Sequence, residues 1–271
     1  MRGGPQVAGF MYHEVTDRPL ESGFLRPGAV PYTLSRAAFA RHLERFRAGS
    51  LAPELVTAID FTSPARHLLL TFDDGGRSAV YVGDQLARLG WNGHFFVVTA
   101  RIGEPTFLDP GEIRYLRSCG HLLGSHSHSH PDIFRDLPRT AMVEEWRVSR
   151  DILEQMLGEP CPVASLPGGD ISPSAVASAG EAGLGFLFTS EPWLAPRLAG
   201  GCRLLGRYSV KAATSPERVQ ALSRFRGWRR AQLIRGLKVV ARRSLPPLYR
   251  RYVRWTTSER SRAGAGPAKA W

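Results

Sequence analysis

Cysteine is scarce in this 271-residue chain: Cys119, Cys161 and Cys202 lie far apart, form no CxxC pair and are odd in number. Neither a disulfide framework nor a thiolate zinc site is expected from them, and packed free thiols are the simpler reading. No stretch approaches the ~20 apolar residues that a membrane-spanning helix needs. The N-terminal Met1-Arg2-Gly3-Gly4-Pro5-Gln6 leads only into a short apolar stretch ending at Met11-Tyr12-His13, without the apolar run and small-residue cleavage site of a secretory signal. A soluble, cytoplasmic protein is the expectation, and export from a longer precursor stays open. There is no internal repeat, and the 28 Gly and 20 Pro residues are spread rather than bunched, which excludes low complexity.

Acidic residues are missing from one region. From Ala221 to the end there are 14 Lys plus Arg against a single acid, Glu259, which leaves 22 basic and 23 acidic residues in positions 1–220. The whole net charge of +12 therefore sits on the C-terminal segment.

What is present is an alternation of short apolar runs with longer helical patterns, the signature of strand–helix units around a largely parallel sheet. An α/β architecture is expected, with strands at 7–12, 68–72, 93–98, 121–125, 162–166, 185–189 and 203–210. Helices are expected at 35–48, with Ser35 as a cap, and at 77–89, 110–119, 139–157, 172–182 and 215–245. Gly90, Gly120, Gly158 and Gly183 each follow a helix end, where a left-handed residue stops the helix. The Pro-rich stretches 22–32 and 51–66 read as surface loops. A boundary is expected near Ser215, giving a domain at 1–214, a basic helical extension at 215–257 and a disordered tail at 258–271.

The sharpest feature is Leu68-Leu69-Leu70-Thr71-Phe72-Asp73-Asp74-Gly75-Gly76, an apolar run ending in two carboxylates and two glycines. Acids at the C-terminal end of a strand occupy the edge where α/β active sites assemble. One carboxylate can bind a metal while its neighbour accepts a proton from water; the bland alternative is an Asp-Gly turn. A second run, Gly120-His121-Leu122-Leu123-Gly124-Ser125, enters His126-Ser127-His128-Ser129-His130. His126 and His130 are four apart, which on a helical turn would aim both imidazoles at one cation; a solvated surface cluster is the alternative. With Asp74 they make a two-His, one-carboxylate set that leaves positions for water and substrate, and Zn²⁺ is the default metal.

Thr71-Phe72-Asp73-Asp74-Gly75 followed some fifty residues later by His126-Ser127-x-x-His130 resembles the polysaccharide deacetylase family, esterases that remove acetyl groups from N-acetylglucosamine polymers. The resemblance implies a distorted (β/α) barrel, Asp73 as base, Asp74, His126 and His130 on a divalent metal, and a carbohydrate substrate. The third motif of the family corresponds to Ala164-Ser165-Leu166-Pro167-Gly168-Gly169-Asp170, where Pro167 and Gly169 fit but the Arg that orients the base is absent. Either Arg207 substitutes or Asp73 is held differently. No His follows His130, so the late acid His of many members is missing, and His13 in Tyr12-His13-Glu14-Val15 resembles the N-terminal acid of a subgroup. The alternative for His13 is a residue packed under a loop. Pro167, Gly168, Trp193 and Arg207 are expected around the substrate, with a backbone N–H near Gly168 on the oxyanion and Trp193 either stacked on a sugar or a plain aromatic. A non-catalytic carbohydrate-binding relative, and a hydrolase of another amide or of an O-acetyl ester, are the competing functions.

In the basic segment, Arg224, Arg226, Arg229, Arg230, Arg235 and Lys238 interleave with Phe225, Trp228, Leu233, Ile234 and Leu237. Such a pattern fits a helix lying on an anionic membrane surface, or one whose apolar face packs on the barrel with a solvated Arg face. Nucleic-acid binding ranks below both, because no recognised module accompanies the charge.

Overall fold

The computed structural model describes residues 4–169, 171–244, 251, 253 and 255–257. The expectations placed on 245–250 and 258–271 lie outside the described residues. The chain forms β1 (Gln6–Tyr12), α1 (Arg36–Arg47), β2 (Arg66–Phe72), α2 (Ser78–Arg88), β3 (His94–Val97), α3 (Pro110–Ser118), β4 (Leu122–Ser125) and α4 (Arg139–Leu157). It continues through β5 (Val163–Ser165), α5 (Pro173–Glu181), β6 (Phe186–Phe188), β7 (Arg197–Ala199), β8 (Cys202–Leu205), β9 (Arg207–Ser209), α6 (Pro216–Ser223) and α7 (Trp228–Ser244).

Local chemistry accounts for many of these limits. The Ser35 hydroxyl accepts the Ala38 N–H at the start of α1, and Asp109 with Glu112 forms a reciprocal capping box at the start of α3. Gly90, Gly120, Gly158 and Gly183 all have positive φ, between 69° and 87°. The helix expected at 215–245 is instead two, because Phe225 (φ 61°) and Gly227 (φ 81°) turn the backbone left-handed between α6 and α7.

The strands pair in the order β7-β8-β6-β5-β4-β3-β2-β1-β9, all parallel except the β7–β8 hairpin. The strand expected at 203–210 is split at Gly206. Its first half, β8, pairs with β6 and its second half, β9, with β1, so one bent segment bridges the two ends of the curved sheet. The expected barrel is thus not closed by a continuous ladder: the sheet ends at β7 and β9, and the bent β8–β9 segment reaches both sides of it. The bend needs glycine: a Cβ on Gly206 would lie 2.4 Å from the Trp193 carbonyl oxygen, and one on Gly9 would lie 2.6 Å from the Gly206 oxygen.

Side-chain alternation sorts the layers. Leu68, Leu70 and Phe72 of β2 point outward to pack with Phe10, Tyr12, Phe39 and Phe46 under the surrounding helices. Their odd-numbered neighbours point inward, where Val7, Leu69, Phe96, Val163, Phe188 and Leu205 fill the barrel. Leu69, Thr71 and Asp73 share that inward face, so the strand's own pleat carries Asp73 to the top of the interior. A separate cluster lies under α4 and α5, built on Trp146, Leu166, Leu187 and Leu204. Val219, Leu222 and Trp228 from α6 and α7 are buried in the same cluster as Phe10.

Candidate active site

The C-terminal ends of the strands converge on one cleft of about 970 Å³ whose walls include His13, Asp73, Asp74, His126, His130, Leu166, Gly168, Ser190, Arg207 and Tyr208. His13, Asp73, His126, Leu166 and Ser190 follow β1, β2, β4, β5 and β6, at the rim where parallel α/β proteins place ligands, and Arg207 and Tyr208 are the first two residues of β9.

Asp73 is held by Arg207 from 134 residues away. Arg207 Nη1 donates to Asp73 Oδ1 at 2.7 Å and Nη2 to Oδ2 at 3.0 Å, a bidentate fork, while the Ser165 hydroxyl donates to Oδ2 at 2.9 Å. The remaining guanidinium donors go to Thr71 Oγ1, Ser165 Oγ and the Thr189 carbonyl, so all five N–H groups are committed. Arg207 is therefore the arginine that holds Asp73, and the stretch 164–170 supplies none. As a substrate contact it is ruled out by the same geometry, since its side chain is 0% exposed and has no donor left. Burial alone would raise the Asp73 pKa, but the Arg207 charge, followed by His126, outweighs it and holds the carboxylate below its ordinary range.

Asp74, His126 and His130 bring one carboxylate oxygen and two ring nitrogens within 4.8 Å of one another. Asp74 Oδ1 lies 3.3 Å from His126 Nε2 and 3.7 Å from His130 Nε2. The two histidines do not share a helical turn, as their spacing suggested. The backbone bends through positive φ at Ser127 (61°) and His130 (55°), and hydroxyls supply the turn hydrogen bonds: Ser125 Oγ accepts the Ser127 N–H and Ser127 Oγ accepts the His130 N–H. Asp74 also has positive φ, 78°. Strained residues of this kind persist where the surroundings over-determine them, commonly at functional sites.

The donor set fits a divalent transition metal. His126 Nδ1 donates to the Ser165 carbonyl at 2.9 Å, which fixes the ring and turns the Nε2 lone pair toward Asp74. His130 Nδ1 faces Arg26 Nη2 at 3.3 Å, so ligation through its Nε2 requires Nδ1 to carry the proton and Arg26 to shift toward Asp132, 3.8 Å away. Burial opposes ionisation of Asp74, but the His126 hydrogen bond and the His13 and His130 charges hold its pKa well below the ordinary carboxylate range. Burial lowers His130 to about 3, giving the neutral imidazole that a metal needs. Burial would lower His126 too, but Asp73 and Asp74 reverse that and raise it.

His13 lies in the same cleft, its ring 4.8 Å from that of Tyr32 and its buried Nδ1 without a hydrogen-bond partner. Its pKa is lowered by burial, against the raising influence of Asp74 and Asp73. Gly168 is exposed on the cleft wall, whereas Pro167 is buried behind it. Trp193 does not line the cleft. It packs on the cluster under α4 and α5 with the Arg197 guanidinium 3.7 Å above its ring. Two other histidines are structural: His94 accepts the Val56 N–H, and His121 the Gly93 N–H.

Several residues at the site carry no local signal in the sequence. Arg26 and Tyr32 come from the loop at 22–32, and Arg230, Ile234 and Arg235 of α7 form part of the cleft wall. Arg235 donates to Glu191 Oε1 at 2.9 Å and to the Gly169 carbonyl at 2.6 Å, which joins α7 to the rim. The charge and helical period of this segment are legible in the sequence, but not which of its residues meet the rim. No helix of the described residues is long and apolar enough to cross a membrane.

Fold and site together define an α/β protein with a mostly parallel sheet and a carboxylate–imidazole centre at the C-terminal rim of its strands. Residues 61–187 match the polysaccharide deacetylase family model. The matched stretch contains Asp73, Asp74, His126 and His130; His13, Trp193 and Arg207 fall outside it. Solved structures with the same fold include a polysaccharide deacetylase from Bacillus cereus (17% identity, 81% of this chain and 69% of that one, TM-score 0.69). The Streptococcus pyogenes deacetylase PplD in complex with acetate (17%, 80% and 98%, 0.67) and IcaB from Ammonifex degensii (20%, 82% and 98%, 0.66) are also similar. No curated protein gives a significant sequence match. The family match supports a deacetylase function, a hydrolase acting on amides, while the structural likenesses establish the fold.

Proposed function

We propose that this protein is a metal-dependent hydrolase that removes N-acetyl groups from an amino-sugar-containing polysaccharide, oligosaccharide or glycolipid. The observation that carries the reading is the placement of an Arg-locked carboxylate, Asp73, beside the Asp74–His126–His130 donor set in one cleft. A divalent cation held by those three residues, Zn²⁺ by its donor types, would supply Lewis acidity toward the attacking water and the acetamide oxygen.

The chain's own groups divide the remaining work. Asp73, kept ionised by Arg207, accepts the proton of the attacking water as oxygen bonds to the acetyl carbon. A backbone N–H near Gly168, on the cleft wall, would donate to the oxygen on which negative charge develops. His13 delivers a proton to the sugar nitrogen as the C–N bond breaks, yielding acetate and a free amine. Arg207 touches no reacting atom and is a positioning residue.

Acetate release from N-acetylated oligosaccharides, compared between the parent protein and Asp74→Asn, tests the assignment. The variant should lose metal and at least ~100-fold in kcat/KM. Undiminished turnover by Asp74→Asn would sink the mechanism, and tight sugar binding without turnover by the parent would favour a binding module.

A further inference from the structure

The charges lining the cleft do not balance. Asp73 is matched by Arg207, Asp132 by Arg26 at 3.8 Å, and Arg235 by Glu191 at 2.9 Å. Asp74 faces the two histidines. What is left over is all of one sign: Lys211, Arg218 and Arg230 line the cleft with no carboxylate within 4.0 Å among the described residues. Their placement is specific. Lys211 Nζ sits 5.2 Å from the centroid of the Tyr32 ring, which in turn packs against His13. The Arg218 guanidinium lies 5.5 Å over Tyr208 and donates to the Gly227 carbonyl at 3.1 Å, just before α7. Arg230 projects from the first turn of α7. Lys211, Arg218 and Arg230 thus contribute to the wall of the same cleft as His13 and the Asp74–His126–His130 set.

We infer that these three cations form a phosphate subsite, and that the substrate is an amino sugar carrying a phosphate or diphosphate beside the acetamide. The inference rests on the deacetylase reading and narrows its substrate. A neutral glycan would leave three cations uncompensated in a concave, partly desolvated site, where like charges repel. A single carboxylate would neutralise one of them, whereas a phosphate carries about −1.5 to −2 and three acceptor oxygens. Arginine suits such a group because its planar fork donates in pairs. The phosphate can belong to a soluble sugar phosphate or to a lipid-linked sugar; both present the same chemistry to Lys211, Arg218 and Arg230.

Calorimetry on the full chain with N-acetylglucosamine 1-phosphate and with N-acetylglucosamine tests this without depending on turnover. The phosphate compound should bind about tenfold or more tightly at low ionic strength. That preference should shrink as salt is added and fall toward unity in Lys211→Ala/Arg230→Ala, whose side chains are not in the core. Equal affinity for the two sugars would overturn the proposal. So would a phosphate preference that survives in the double variant, which would locate the anion on the metal site. If the preference holds and no compound releases acetate, the deacetylase reading fails and the subsite stands. Acetate release from a diphosphate-linked N-acetylglucosamine lipid in phosphatidylcholine vesicles, set against the soluble sugar phosphate, tells which source the site serves, and a preference for either supports it.

Discussion

Replacing Arg207 by Met should destabilise the protein in a way that depends on pH with a sign opposite to that of the parent. Asp73 is 2% exposed and would keep only the Ser165 hydroxyl as a donor. Breaking a buried pair by removing one partner typically costs about 3–5 kcal/mol. The stranded carboxyl can escape by binding a proton, and with an ordinary pKa of about 3.9 that costs about 4 kcal/mol at pH 7 and only about 1.5 kcal/mol at pH 5. The electrostatic deficit of the variant should therefore shrink by more than half between those values. In the parent, the Asp73 pKa is lowered, so its contribution is present above the unfolded value near 4 and is lost as pH falls. In Arg207→Met the folded pKa is raised, so stability is greatest at low pH and is lost as pH rises. Urea denaturation at pH 5 and pH 7, with chelator present to exclude metal, measures both deficits; at roughly 2–4 °C per kcal/mol the melting temperature at pH 7 should drop by about 6–16 °C. Adding Asp73→Leu removes the uncompensated charge and should recover most of the loss while leaving no activity. A deficit equal at both pH values, or a double variant as unstable as the single one, would refute the account of Arg207 as the counter-charge of Asp73.

His13→Ala should lower kcat by about 100- to 10,000-fold with little change in KM, the range for removal of a general acid, and acetate release at an undiminished rate would discard that role. Glu14, buried, has its pKa raised to about 7 by desolvation against hydrogen bonds from Ser22 and Ser78. A raised carboxyl stabilises the fold below its unfolded pKa and loses that stabilisation as pH rises through about 7, a change on the order of 3 kcal/mol. Glu14→Gln keeps an acceptor for both hydroxyls, so its unfolding free energy should vary less between pH 4.5 and 7 and exceed the parent's above pH 7. Denaturation curves at pH 5, 6, 7 and 8 check this, and parallel profiles for the two proteins would refute it.

The features readable from sequence were those written in local order. The pleat of an apolar strand puts Asp73 inward whatever it later meets, and a run of Leu ending in two acids marks the rim. Helix α4 has the limits its apolar period and Gly158 dictate. The break between α6 and α7 was missed because the apolar period of 215–245 runs on through it; only the left-handed backbone at Phe225 and Gly227 reveals it. Likewise, His126 and His130 approach each other through serine-bonded bends and not on the helical turn that their spacing suggested.

What the chain's own order determined, then, is the α/β pattern and the identity of the acids and imidazoles, since strand ends in a parallel sheet necessarily share a rim. The tertiary structure alone decided which distant side chain answers Asp73, that Trp193 turns away from the cleft, and that α7 brings Arg230 and Arg235 to its wall. Those contacts span tens to more than a hundred residues, and they depend on the bend at Gly206 that carries Arg207 from the β6 side of the barrel to β1. No pattern within a window of sequence encodes a pairing of that range, because it is the closure of the sheet that brings the partners together.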